Sequence, residues 1–284
     1  MLLLFFCFRG HQASYLNWGC VNIEKTTLSN SICTSEIRKD ILLALADGLK
    51  ERDTILNQLD ITTQALTPHL KMLKEKYLIT ISDDSCELTS MGGIIVSEII
   101  PPLSIMDFFD KNLAYWGTHD LDFIPPHLVK RINEFGSCAR IEVPLTKVYE
   151  TDDIFIEQAK DTKLFSFITS FLFPNSKEIL TDLAANDVNI SIIISNELHQ
   201  KIVSDFKEDL EYILQLPKLE MYAYHENFKL LSFTLSDHNF LLRLLTLEGD
   251  YDHKRVICAS DQALKWGNDL FEYYLNGSTQ ITEI

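Results

Sequence analysis

Four side chains shortly after residue 60 have the types and spacing to read a DNA duplex. Gln64, Thr67, Lys71 and Lys74 recur at three- and four-residue intervals, so a helix would hold them on one face. Glutamine can pair bidentately with adenine in the major groove, and lysines grip phosphates. Thr63 opens the same segment, and Lys76, Arg38 and Lys39 would extend its basic stripe. A second constellation lies far downstream. Arg243 interrupts the apolar run NFLLRLLTL, where an unpaired charge is costly. If the chain turns through Ser236-Asp237-His238-Asn239, Leu235 pairs with Phe240 and Ser232 falls opposite Arg243. Thr234 is then diagonal to the arginine on the same face. A guanidinium flanked by two hydroxyls on an apolar sheet suits a carboxylate or a phosphate. Trp116 and Trp266 are candidates for the walls of such a site. Two other arrangements stay open: Arg243 paired with a local acid, and Arg243 on a solvated sheet edge. A one-residue slip in the turn would also separate Ser232 from it.

Other chemistry finds no support. The chain has no GxGxxG or GxxxxGK[ST] loop, no GxSxG elbow, no HExxH and no CxxC. His199-Gln200-Lys201 with Asp205 is a near miss to the HxK site of phospholipase-D-type phosphodiesterases, whose aspartate follows the lysine by five residues. Here it follows by four, on a helical pattern and without a second copy, so a solvated helix face is expected. No catalytic residue, metal site or cofactor is assigned.

The first four side chains need a rigid carrier, and Ser35 to Met91 supplies one. Ser35 can cap a helix over EIRKDILLALADG that Gly48 can stop. A second amphipathic segment, ERDTILNQLD, breaks at Asp60. The third, TQALTPHLKMLKEKY, places Leu66, Leu70, Leu73 and Tyr77 on an apolar stripe opposite the polar face. Pro68 either kinks this helix or sits at its first position after a Thr67 cap. LITIS, a DDS tip and CELT then form a hairpin. Helix, helix, turn, helix and hairpin in this order is a winged helix-turn-helix, which presents its third helix to the major groove. Charge argues the other way. Seven basic and eleven acidic residues between Ser35 and Ile100 leave this unit at −4, and the tip Asp83-Asp84 is acidic.

Of the net charge of −16, residues 101–284 carry −13, so the larger domain does not hold nucleic acid over its general surface. The six cysteines are scattered and fit a reducing cytoplasm. MLLLFFCF is too short to cross a bilayer and has its charge, Arg9, after the apolar run rather than before it. Residues 1–30 therefore read as a poorly ordered extension, 31–100 as the winged unit and 101–284 as an α/β domain.

After the wing, Thr89 or Ser90 can cap a helix that Pro101-Pro102 would end, followed by the amphipathic LSIMDFFDKNLAYWGTHD. These apolar stripes suit either a homodimer contact or the domain's own core. Strand-like runs then alternate with helix-like ones. ARIEVPL, KLFSFITSFLF, VNISIIIS, LEMYAY, FKLLSFTLS and NFLLRLLTL are the strands. DDIFIEQAKDTK, NSKEILTDLAANDV, NELHQKIVSDFKEDLEYILQL and SDQALKWGNDLFEYYLNG are the helices. The expected class is α/β (α+β), with a mixed sheet covered on both faces.

SEIRKDILLAL, ALTPHLKMLKEKYLI, ELTSMGGIIV, YWGTHDLDFIPPHLVKRI and QALKWGNDLFEYY together resemble an archaeal family. These are winged-helix transcriptional regulators related to the filament-formation and methanogenesis regulatory proteins. The last two stretches are the specific ones, and the resemblance covers about residues 29–277. It implies a regulator of a methanogen-like archaeon that binds double-stranded DNA and carries an α/β sensing domain. The acidic wing departs from the pattern. The resulting expectation is a cytoplasmic homodimer, not an enzyme and not membrane-bound, that reads an operator and answers a small-molecule effector. The alternative is an enzyme or metabolite-binding protein whose winged unit mediates protein contacts.

Overall fold

The computed structural model describes residues 28, 32, 34–144, 156, 159–226 and 228–283, which divide into two units between Ile100 and Pro101. The opening MLLLFFCF and half of the DDIFIEQAKDTK run lie outside the described residues.

In the first unit, helix α1 (Glu36–Ala44) starts where the Ser35 hydroxyl accepts the Arg38 amide, and a 3-10 turn carries it to Gly48. Gly48 has φ +118°, which an L side chain rarely adopts. A two-residue strand β1 (Lys50–Glu51), not expected from the sequence, precedes α2 (Arg52–Leu59), and left-handed Asp60 ends that helix. Helix α3 (Thr63–Glu75) follows, and the hairpin β2 (Ile79–Ser82) and β3 (Ser85–Leu88) forms the wing, with β1 paired to β3.

The cap of α3 is Thr62, which accepts the Ala65 amide, so of the two arrangements open for Pro68 the proline lies inside the helix rather than at its first position. The proline leaves the Gln64 carbonyl without its helical donor, but Gln64 and Pro68 are both exposed and water reaches that carbonyl. Tyr77 is not on the apolar stripe. It is left-handed at φ +59° and 77% exposed, because the helix ends there in a Schellman turn. The Tyr77 amide donates to the Lys74 carbonyl and the Leu78 amide to that of Leu73, which puts buried Leu78 at the end of the stripe instead.

Helix α4 (Ser90–Asp110) begins at Thr89, whose hydroxyl accepts the Gly92 amide. It runs through Pro101-Pro102 rather than ending there. The prolines deprive the carbonyls of Ser97 and Glu98 of donors, and both residues are exposed, so solvent compensates. By length and composition alone α4 could cross a membrane. Met91, Ile94 and Met106 on it are exposed.

The second unit is built on an eight-stranded mixed sheet of order β11-β7-β6-β5-β8-β9-β10-β4. Its strands are β4 (Ala139–Glu142), β5 (Leu164–Thr169), β6 (Asn189–Ser195), β7 (Leu219–Tyr224), β8 (Leu230–Ser236), β9 (Phe240–Leu244), β10 (Lys254–Cys258) and β11 (Ser278–Gln280). β5, β6 and β7 run parallel, and the remaining pairs are antiparallel. Short helices α5 (Leu113–Trp116) and α6 (Pro126–Val129) precede the sheet. Side-chain alternation divides the strands between two cores. Phe233, Leu235, Phe240, Leu242 and Leu244 pack on one face with Trp116, Phe135 and helix α10 (Asp261–Asn276). Ile190, Ile192, Ile194 and Leu241 pack on the other with helices α7 (Ser176–Ala185), α8 (Asn196–Asp205) and α9 (Lys207–Leu214). The sequence reads 196–216 as one helical run; the chain breaks it at Phe206, whose φ of −135° departs from helical geometry.

The cysteine reading needs correction. Cys138 and Cys258 form a disulfide across 120 residues, because β4 and β10 are paired and bring the two positions face to face. Scatter along a sequence is not distance in a fold. Among the described residues Cys86 is free and buried.

Candidate functional site

The winged unit presents one polar helix face. Thr63, Gln64, Thr67, Lys71 and Lys74 are exposed on α3, while Leu66, Leu70 and Leu73 are buried beneath them. These five share one side of the helix because 3.6-residue periodicity separates them from the leucine stripe. Their freedom differs. The Thr67 hydroxyl donates to the Thr63 carbonyl at 2.7 Å, so toward a base it offers only lone pairs. Lys71 lies 4.0 Å from Glu75, an exposed contact that solvent weakens. Lys76, at the helix end, is half-buried.

Arg38 is half-buried on α1, with its guanidinium on the Met72 sulfur at 3.1 Å and the Thr34 hydroxyl at 3.4 Å. Burial and the neighbouring Arg38 charge hold His69 below its usual pKa, so at neutral pH the face owes its charge to lysines. The acidic wing tip is partly neutralised. The Arg52 guanidinium lies 3.6 Å from the Asp84 carboxylate, and the Arg52 amide donates to the Asp84 carbonyl at 2.9 Å.

The downstream constellation assembles by register. Leu235 pairs with Phe240 and Ser232 with Arg243, and Thr169 of β5 continues the second row on the other side of Ser232. Antiparallel partners share a face, so Thr169, Ser232 and Arg243 form one row, with Phe167, Thr234 and Leu241 forming the next. The Arg243 guanidinium donates to the Ser232 hydroxyl at 3.2 Å and stands 5.1 Å from the centre of the Phe173 ring. Over these rows lies a cavity of about 420 Å³, lined by Arg243, Thr234, Thr169 and mostly by phenylalanine, leucine and isoleucine from the sheet and from α7, α8 and α9. Its size falls in the usual range for small-ligand sites. At its edge Lys177 bridges to Asp209 at 2.6 Å, joining α7 to α9. Sequence reasoning missed Phe173, Lys177 and Asp209, because their approach depends on the path of the chain after β5.

Trp116 and Trp266 do not line this cavity. Both belong to the core on the opposite face of the sheet. Trp266 is fully buried and its indole N–H donates to the Leu128 carbonyl at 3.0 Å. Tyr274 donates to the Phe123 carbonyl at 2.6 Å, and Arg131 bonds Asp269 at 2.7 Å. The two most distinctive stretches of the sequence are therefore partners of one another. His119, from the first of them, is buried with its ring nitrogens near the Tyr115 carbonyl at 2.6 Å and the Asp252 carboxylate at 3.2 Å. His199, Lys201 and Asp205 sit on helix α8, with Lys201 and Asp205 exposed. Among the described residues no group of three His, Cys, Asp or Glu could hold a metal ion.

Known proteins bear on this arrangement. The archaeal chromatin protein TrmBL2, whose structure is described as showing a novel mode of DNA binding, is 11% identical, with 90% of this chain and 98% of that one covered and a TM-score of 0.41. Phosphatidylserine synthase of Haemophilus influenzae Rd KW20 is 15% identical over 52% of this chain and 40% of its own, with a TM-score of 0.38. At such scores neither likeness bears on function. The methanogenesis regulatory protein FilR1 of Methanothrix harundinacea (strain 6Ac) is 20% identical over 258 residues, 88% of this chain. The chain spans 57% of that relative's length. Family models for the N-terminal and middle domains of methanogenesis regulatory protein FilR1 match residues 28–110 and 148–277. With both domains matched, in order and over most of its length, the chain belongs to the FilR1 family of methanogenesis regulatory proteins.

Proposed function

We propose that the chain is a transcriptional regulator that binds a specific operator through residues 31–100 and senses a small effector through residues 101–284. The observation that carries the reading is the exposed polar face of α3, set on a buried leucine stripe and followed by a paired wing. Family membership and the archaeal relative's name support it. In this reading Gln64 reads a base, Thr63 and Thr67 accept or bridge, and Lys71, Lys74 and Lys76 meet phosphates, with Arg38 holding α1 against α3. The protein acts in the cytoplasm as a non-enzyme.

Lys71→Ala tests the assignment. It is expected to weaken binding to all sequences alike and to lower the slope of log affinity against log salt by about one unit. A gel shift on the chain's own promoter over a salt series measures both. An unchanged slope would remove Lys71 from the interface.

The reading includes a two-fold dimer, supported by the exposed Met91, Ile94 and Met106 of α4. Half-sites about 34 Å apart, or a multiple, are expected. Light scattering with and without DNA checks this, and monomer alone at micromolar concentration contradicts it. The net −4 of the winged unit favours a second reading, in which that unit docks protein. The same gel shift separates the two, since a protein-docking unit shows no salt-dependent DNA complex.

A further inference from the structure

We propose that the cavity above β5, β8 and β9 takes an uncharged ligand with a hydrocarbon body, and that it discriminates against ions of either sign. This deepens the regulatory reading above, on which the ligand's role as an effector rests.

The walls account for the hydrocarbon body. Ile192 and Ile194 of β6 and Phe165 and Phe167 of β5 line the cavity from the sheet, and Leu198 and Ile202 of α8 line it from above. The ring centres of Phe165, Phe167 and Phe173 follow one another at 6.3 Å, and Phe171 stands 5.2 Å from Phe173. One side is therefore a run of aromatic rings and the other is aliphatic. A ligand seated between them gains by taking apolar surface out of water.

The polar groups around the cavity are engaged with the protein itself. Arg243 is held by the Ser232 hydroxyl at 3.2 Å, by the Phe173 ring at 5.1 Å and by a further interaction, so its charge is already met. Lys177 bonds Asp209 at 2.6 Å and lies 4.7 Å from the centre of the Tyr212 ring, and the two charges of that pair offset each other at the cavity edge. The Thr169 hydroxyl donates to the Phe171 carbonyl at 2.7 Å and accepts the Phe171 amide at 3.0 Å. Ser176 donates to the Phe173 carbonyl at 2.7 Å. Ser236, paired with Phe165 in the row beyond Thr234, gives its hydroxyl to the hairpin turn, where it donates to the Asn239 carbonyl at 3.1 Å and accepts the His238 amide at 3.2 Å. A charged ligand would thus leave water for a hydrocarbon space whose cations and anions are already paired, which is costly. An uncharged one pays no such penalty. Thr234, in the middle of the floor, carries a hydroxyl that can accept a hydrogen bond from an alcohol or an amide on the ligand.

The experiment uses the full chain and three ten-carbon probes that differ only in the head: decanol, decanoate and decylammonium, all below their micellar or solubility limits, followed by calorimetry and thermal shift. Decanol is expected to bind with one site per chain. Each methylene added from hexanol should tighten binding about fourfold until the cavity is filled. Decanoate and decylammonium should each bind at least about tenfold more weakly than decanol. Leu198→Phe and Ile202→Phe each place a ring in the cavity. Either is expected to weaken decanol at least about tenfold while the melting temperature holds or rises, as cavity-filling changes do, and each serves if the other does not fold. Absence of saturable decanol binding overturns the proposal. So does decanoate or decylammonium binding that matches decanol, and so does a folded filling variant that binds decanol like the wild type. The regulatory reading is tested separately on the promoter gel shift. If decanol binds and the DNA complex ignores it, the site stands and its role in sensing falls. If no DNA complex forms at all, the regulatory reading falls and the site is judged on the binding data alone.

Discussion

Gly92→Ala is expected to break the junction between α3, the wing and α4, while Gly93→Ala beside it is neutral or mildly stabilising. A Cβ built on Gly92 would sit 2.0 Å from the Leu78 carbonyl oxygen and 3.0 Å from its carbon. Backbone, not a flexible side chain, stands in the way. That carbonyl accepts the Thr89 amide at 3.0 Å, and the Leu78 amide closes the Schellman turn at the end of α3. Moving it would loosen the end of the helix that carries Gln64 and Lys71 and the base of the β2–β3 ladder at the same time. Overpacking against backbone costs about 3 kcal/mol or more. For a unit of this size that lowers its melting temperature by at least about 10 °C. A Cβ on Gly93 meets nothing within 4 Å, so Gly93→Ala should contribute up to about 1 kcal/mol of helix stability. Thermal unfolding and promoter binding of both variants check the pair. A Gly92→Ala chain that melts and binds like the wild type would show that the contact yields cheaply.

What the sequence disclosed depended on how local the cause was. The β8–β9 register was legible because a four-residue turn and strict alternation determine it: Ser232 opposite Arg243, Leu235 opposite Phe240. The face of α3 was legible for the same reason, since periodicity alone separates Gln64 and Lys71 from Leu66 and Leu70. Its ends were not. Thr62 rather than Thr67 caps the helix, and Tyr77 takes a left-handed conformation that glycine or asparagine would normally fill. The short strands β1, β10 and β11 lacked a pattern of their own and exist because a distant strand supplies their partner. The cavity was only half legible. Arg243, Ser232 and Thr234 gave the polar floor, but Phe173 reaches the guanidinium from 70 positions away along a path no periodicity describes. Cys138 and Cys258 are the same case, joined by strand pairing across 120 residues.

Trp266→Ala is expected to destabilise the second unit by about 3–5 kcal/mol. The indole is fully buried against Phe135, with ring centres 4.5 Å apart, and against Phe240 at 6.1 Å. Truncation leaves a void that packed aromatic neighbours cannot close. It also orphans the carbonyl of buried Leu128, which accepts the indole N–H at 3.0 Å. Trp266→Phe divides the two causes, since it keeps most of the volume and loses only the hydrogen bond. About 1–3 kcal/mol is expected there. An unusual sequence stretch invites a functional reading, and QALKWGNDLFEYY had one as the wall of a ligand site. Its partner stretch, YWGTHDLDFIPPHLVKRI, explains it instead: Trp266, Asp269 and Tyr274 each bond a residue of that segment. A side chain that only walled a ligand site would behave in the opposite way, leaving the melting temperature within about 2 °C of wild type. Thermal unfolding of the same two variants decides between these outcomes, and the position of Trp266 on the far face of the sheet from Arg243 favours the first.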